Sequence, residues 1–164
     1  MSKSKYLDSA GLTFYDRKIK DWIKSSIVDI AEDAINALFI VFPPNNEIWY
    51  TSSDGNIVTP YKTNNIVSNT YEDGKGIIKF DGPVTSIVSY TFRNCTSLTS
   101  IIIPPRVTSI ESMAFRDCSS LISVILPNSI TTIGNYTFQD CSSLTSINIP
   151  NSVTSIGAGL SLIV

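Results

Sequence analysis

Phe92, Phe115 and Phe138 stand 23 residues apart, and Cys95, Cys118 and Cys141 keep the same step, as do Leu98, Leu121 and Leu144. The step also relates Ile101, Val124 and Ile147, then Ile103, Leu126 and Ile149, and then Pro104, Pro127 and Pro150. Val107, Ile130 and Val153 follow, with Ile110, Ile133 and Ile156. Copies 115–137 and 138–160 agree at 13 of 23 positions, too many for chance. One such unit cannot bury its own apolar face, so the units must stack. Like side chains then lie over like, with strand pairing setting the rise at roughly 4.8 Å. Ile101 and Ile103 alternate with Ser100 and Ile102, which is the strand period. Pro104 ends that strand because it has no ladder donor. Val107–Ile110 is a second extended piece. The stretch that begins at Glu111 and carries the next Phe is expected to be helical or turn-like. The core is expected in columns: Phe92, Phe115 and Phe138, with Leu98, Leu121 and Leu144.

The register reaches backwards by a partial copy. Ile78, Phe80, Val84 and Ile87 fall 23 residues before Ile101, Ile103, Val107 and Ile110. The solenoid is therefore expected to start near Gly76. At the other end Ser161 stands where the Phe would recur. The apolar tail Leu160, Leu162, Ile163 and Val164 is expected to fold over the open edge or to pack on a second copy.

Residues 8 to about 40 read differently. Leu12, Tyr15, Ile19, Trp22, Ile23, Ile27, Ile30, Ala34, Ala37 and Leu38 follow spacings of three and four, with charges mostly off the stripe. This predicts a long amphipathic helix, capped by Asp8 or Ser9 and stopped by Pro43 and Pro44. A helix of this kind needs an apolar partner. It either packs on the rest of its own chain or serves attachment and self-association. The second reading is preferred because the repeats already bury their own faces. After the prolines, Glu47–Tyr50 and Asn56–Val58 flank Ser52-Ser53-Asp54-Gly55, the pattern of a β-hairpin. The expected fold class is thus α+β: helix in 1–42, hairpin junction in 43–75, and solenoid of 23-residue rungs in 76–164.

Composition narrows the chemistry. The net charge is −2 with no basic stripe, so nothing recommends a nucleic acid as partner. Histidine is absent, which removes the commonest general base and metal ligand. The cysteines form no C-x-x-C pair and are expected to pack as small hydrophobes. No nucleophile elbow, phosphate-binding loop or calcium loop occurs. Asp117 and Asp140 share one repeat position, which marks a turn rather than a catalytic pair. No catalytic residue, cofactor site or metal site is expected, and the chain is read as a non-enzyme. The N-terminus lacks the apolar core of a signal peptide. No run of about 18 apolar residues predicts membrane insertion. The product is therefore expected to stay in a cytosol or to leave by lysis.

The outward strand positions are Ser100 and Ile102, Ser123 and Ile125, and Ser146 and Asn148. Ile102 and Ile125 exposed together would form an apolar stripe that contacts a partner; alternatively a neighbouring chain or the hairpin covers it.

The pattern F-x-x-C-x-S-L-x-S-I-x-I-P-x-x-V-T-S-I-G over residues 77 to about 160 resembles the BspA-type leucine-rich repeat. The resemblance implies a leucine-rich-repeat solenoid used for adhesion or protein binding, on bacterial or protist surfaces and in some bacteriophage. Arg106, Ser129 and Ser152 stand near the place where the common leucine-rich pattern carries Asn. The segment YLDSAGLTFYDRKIKDWI is similar to a short leader (Y-L-D-x-x-G-L-x-x-F/Y-x-x-K-I-K) that opens many phage virion and fibre proteins. Together the two resemblances imply a virion protein, a fibre or a capsid or tail appendage. Its partners would be itself, as a homotrimer by fibre symmetry, other virion proteins, and a host-surface protein or glycan. The other reading is a bacterial surface or intracellular interaction module of the same repeat family.

Overall fold

The computed structural model describes residues 42–62 and 65–159, which fall within one compact unit from Pro43 onward apart from Phe42. The expected helix, its stripe Leu12, Tyr15, Ile19, Trp22, Ile23, Ile27 and Ile30, and the tail from Leu160 lie outside the described residues. The described residues form strands and turns and no helix. The expected α+β class is therefore corrected to a sheet-based fold.

Two sheets run along the solenoid. One contains β1 (Glu47–Ser52), β2 (Ile66–Glu72), β3 (Lys75–Phe80), β5 (Leu98–Ile102) and β7 (Ser123–Ile125), in the order β2-β3-β1-β5-β7. The other is a ladder of two-residue strands: β4 (Ser86–Ile87), β6 (Ser109–Ile110), β8 (Thr132–Ile133) and β9 (Ser155–Ile156). Every pair in this ladder is parallel and offset by one repeat, as Ile87 on Ile110 and Ile133 on Ile156 show.

Between the sheets the side chains stack by kind. The rings of Phe92 and Phe115 lie 5.2 Å apart and nearly parallel, and those of Phe115 and Phe138 5.4 Å apart. All three are buried, as are Leu98, Leu121 and Leu144. The segments that carry the Phe side chains are turns. A helix would direct each N–H four residues back. Here the N–H groups of Met113, Phe115 and Asp117 instead donate to the carbonyls of Asn135, Thr137 and Gln139, one rung on. Left-handed residues set this path at two places per rung: Tyr90, Met113 and Tyr136, and Asn94, Asp117 and Asp140. Asn and Asp tolerate that conformation better than other side chains, which explains the second series. Asp117 also faces the Nε atoms of Arg93 and Arg116 at 3.7 and 3.5 Å.

The cysteine column has a structural use. Cys118 Sγ donates to the Phe92 carbonyl at 2.9 Å, and Cys141 Sγ to the Phe115 carbonyl at 3.0 Å. Each thiol thus gives a second donor to a carbonyl one rung back, which also accepts from the N–H of Cys95 or Cys118 within its own rung. Cys95 Sγ reaches the Thr59 carbonyl instead, at 3.6 Å. Segment 57–62 thus stands where an earlier rung would be, and Tyr61 N–H donates to the Thr91 carbonyl.

The junction differs from expectation. Asn56–Val58 is not a strand, so the hairpin of Glu47–Tyr50 with Asn56–Val58 does not form. Val58 turns inward and is buried; its N–H donates to Tyr50 Oη, and its carbonyl accepts from Asn69 Nδ2. Tyr50 Oη in turn donates to Asn69 Oδ1 at 2.8 Å. The hairpin that does form is β2–β3, closed by Asp73-Gly74 with both residues at positive φ, the two-residue turn that matches strand twist. β1 pairs antiparallel with β3 on one side and with β5 on the other.

The partial first copy is split by this arrangement. Ile87 stacks under Ile110 in repeat register. Ile78 and Phe80 do not lie beside β5, because β1 is inserted between β3 and β5. The strand expected around Ile147 and Ile149 is not formed.

Candidate interaction face

The outer face of the five-stranded sheet carries the arrangement with the most chemical character. Alternation puts Ile48, Tyr50, Ile78, Ile101 and Val124 into the core. Their sequence neighbours therefore point outward. Cross-strand register lines those neighbours up: Thr70 opposes Ile77, Ile77 opposes Trp49, Trp49 opposes Ile102, and Ile102 opposes Ile125. The result is one row, Ile77–Trp49–Ile102–Ile125, running across four strands. Each member is half-buried.

Trp49 is held in place from two sides. Its Nε1–H donates to Glu47 Oε2 at 2.9 Å, and the Lys75 ammonium lies 3.1 Å from the ring centroid. A cation over an indole face is attractive, and the two contacts fix the ring's orientation. Beside the apolar row runs a hydroxyl row, with Thr51 opposite Ser100 and Ser100 opposite Ser123. Thr51 Oγ1 shares hydrogen bonds with Thr99 Oγ1 at 2.6 Å and Ser100 Oγ at 2.7 Å.

Of the six residues singled out from the repeat, Ser100, Ile102, Ser123 and Ile125 lie together on this face. Ser146 and Asn148 are exposed but lie beyond the last strand of the sheet. Trp49 and Ile77 were missed as face residues. The alternation in Glu47-Ile48-Trp49-Tyr50-Thr51 was a signal for Trp49, but only pairing with β5 places it beside Ile102.

The titratable groups off this face serve the scaffold. Glu111 Oε2 accepts from Ser89 N–H and Ser89 Oγ, and Oε1 accepts from Ser86 Oγ. The Ser89 N–H is the main cause that holds its carboxyl below the ordinary carboxylate range. Burial pushes the Cys95 thiol up to about 12, and contact with the Cys141 thiol together with burial raises Cys118. All three cysteines are free. Among the described residues no group of His, Cys, Asp or Glu has the arrangement of a metal site, and no helix is long and apolar enough to cross a membrane.

Residues 64–160 match the family model described as BspA type leucine rich repeat region (6 copies). No curated protein matches. Among solved structures, a leucine-rich repeat protein of T. pallidum is 34% identical, covering 48% of this chain and 37% of that one, with a TM-score of 0.46. A leucine-rich repeat protein from Bacteroides ovatus ATCC 8483 is 36% identical, covering 59% of this chain and 24% of that one, with a TM-score of 0.46. The chain thus spans about a quarter to a third of the length of these relatives. Since the family model covers more than half of the chain, the chain belongs to the BspA-type leucine-rich-repeat family.

Proposed function

We propose that this chain is a protein-interaction module that presents the outer face of its five-stranded sheet to a protein partner. The observation that carries the reading is the half-buried row Ile77–Trp49–Ile102–Ile125, aligned across four strands and bordered by hydroxyls. An apolar centre with a polar margin is the usual anatomy of a protein contact. An oriented Trp is the residue type most often found at its energetic centre. Membership of the BspA-type family supports a binding role over catalysis. The bacterial interaction-module reading is preferred. The virion reading rests on the leader resemblance in residues 6–23, which lie outside the described residues, and no further observation joins it.

The test is a paired capture experiment. Immobilised chain and an Ile102→Asp/Ile125→Asp variant are exposed to the same extract, and partners retained only by the parent are purified and titrated back. The expected result is a purified protein that binds the parent and loses at least about tenfold in affinity for the variant, with the variant's thermal unfolding intact. Equal affinity for both chains would remove the outer face from the proposal.

A further inference from the structure

Among the described residues, the solenoid's leading end is closed on two sides and open on the third. β1, β3 and β2 extend the larger sheet past the first rung, so β5 has no free edge there. Segment 57–62 covers the Phe and Cys side, through Tyr61 N–H on Thr91 and Cys95 Sγ on Thr59. In the four-stranded sheet, by contrast, β4 is the terminal strand. Its inner neighbour β6 takes the backbone of Ile87, whose carbonyl accepts from Glu111 N–H. In a parallel pair alternate residues face opposite sides, so Ser86 and Val88 direct their backbones away from β6. The Val88 carbonyl is used by Thr91. By the same alternation the Ser86 N–H, the Ser86 carbonyl and the Val88 N–H point to the side of β4 away from β6.

A cleft of about 620 Å³ opens along this edge. Ile48, Phe80, Val84, Ile87 and Val88 supply its apolar wall, and Lys62 stands on its rim. Val88 is 43% exposed. An unpaired strand edge over an apolar wall offers what an extended peptide needs: main-chain groups to pair with and places for alternate side chains.

We propose that this cleft is a strand-addition site for an extended segment of another protein, one that alternates aliphatic and hydroxyl side chains. The pattern follows from the chain's own ladder. Ser86 and Ile87 pair in register with Ser109 and Ile110, and each pair ends the same four residues, Val-Thr-Ser-Ile. A strand of that type laid on the free side of β4 repeats a pairing already made three times within the sheet. Its aliphatic residues meet the wall at half-buried Phe80 and exposed Val88. A whole second solenoid is a poorer fit than a single strand, because β3 and β2 continue past β4 in the other sheet. The site is separate from the outer face of the larger sheet and stands or falls without it.

The probe is a fluorescein-labelled peptide with the sequence of residues 151–158, Asn-Ser-Val-Thr-Ser-Ile-Gly-Ala. It is titrated with the full chain and followed by anisotropy, beside a scrambled peptide and one N-methylated at the central serine. The expected result is saturable binding, weakened about tenfold or more by scrambling and by N-methylation. Ser86→Pro, which removes an outward N–H, and Val88→Lys, which places a charge at the mouth, are both expected to abolish it. Val88 is exposed, so Val88→Lys tests the cleft even if Ser86→Pro fails to fold. Absence of saturation, equal binding of the scrambled peptide, or unchanged binding to Val88→Lys overturns the proposal. Self-association that Val88→Lys abolishes overturns it too, by assigning the edge to a second copy.

Discussion

Removing the middle ring of the phenylalanine column is the sharpest test of what holds the rungs together. Phe115 is fully buried and lies between two rings, at 5.2 Å from Phe92 and 5.4 Å from Phe138. Phe115→Ala removes the apolar burial and leaves a cavity, a loss of about 3–5 kcal/mol. Each ring pair contributes roughly 0.5–1.5 kcal/mol beyond its buried area. Phe115 belongs to two such pairs, and Phe92 and Phe138 to one each. Phe115→Ala should therefore cost about 1 kcal/mol more than Phe92→Ala or Phe138→Ala. Phe115→Leu keeps most of the burial and loses both pairs, so its cost should be about 1–3 kcal/mol. Urea unfolding of the parent and the four variants, followed by circular dichroism, gives the free energies directly. A cost below about 1 kcal/mol for Phe115→Ala, or end positions that cost more than the middle one, would refute ring stacking as the cement between rungs.

Three further outcomes follow from the same contacts. Gly134→Ala should destabilise the chain by about 1–3 kcal/mol, because its Cβ would meet the Ser112 nitrogen and lie 2.7 Å from the Glu111 carbonyl carbon; Gly82→Ala, with nothing within 4 Å, should be near neutral in the same melt. Hydrogen bonds from Ser89 and Ser86 depress the Glu111 pKa in the folded state, so its contribution is present above the unfolded carboxylate range and is lost as pH falls through the lower folded value; Glu111→Gln should flatten the acid side of a stability–pH curve. The Cys95, Cys118 and Cys141 thiols are buried, with Cys95 raised to about 12, so a thiol reagent at mild alkaline pH should label the folded chain slowly and all three sites rapidly in denaturant.

What could be read in the sequence was whatever repeats. The 23-residue step locates the Phe, Leu, Ile and Cys columns because stacking copies each residue's surroundings from one rung to the next. Ile102 and Ile125 are legible for the same reason: the strand period puts them opposite Ile101 and Val124. The leading end is illegible because it breaks the repeat. Nothing in Glu47–Ser52 announces that it pairs with residues about fifty positions away, and antiparallel insertion leaves no periodic trace. Asn56–Val58 has the composition of a strand, yet the buried Tyr50 hydroxyl and Asn69 amide claim the Val58 backbone first. The turn regions were legible only in part. Their spacing allowed a helix or a turn, and hydrogen bonds to the adjacent rung and left-handed residues such as Asp117 and Asp140 decide for the turn. Trp49 joins the outer row only through tertiary pairing, so no local reading of residues 47–52 could have put it beside Ile102.

The antiparallel entry of β1 also bears on how such a chain can lengthen. In the larger sheet β5 takes β7 as a parallel neighbour one repeat later, so a duplicated 23-residue unit spliced after Ile102 finds the same surroundings as the unit it copies. Ahead of β5 that translation no longer holds, because β1 runs the opposite way. A unit spliced there would have to displace an existing strand before it could pair. The array thus has a fixed origin and a variable far end, and growth by tandem duplication is confined to one direction.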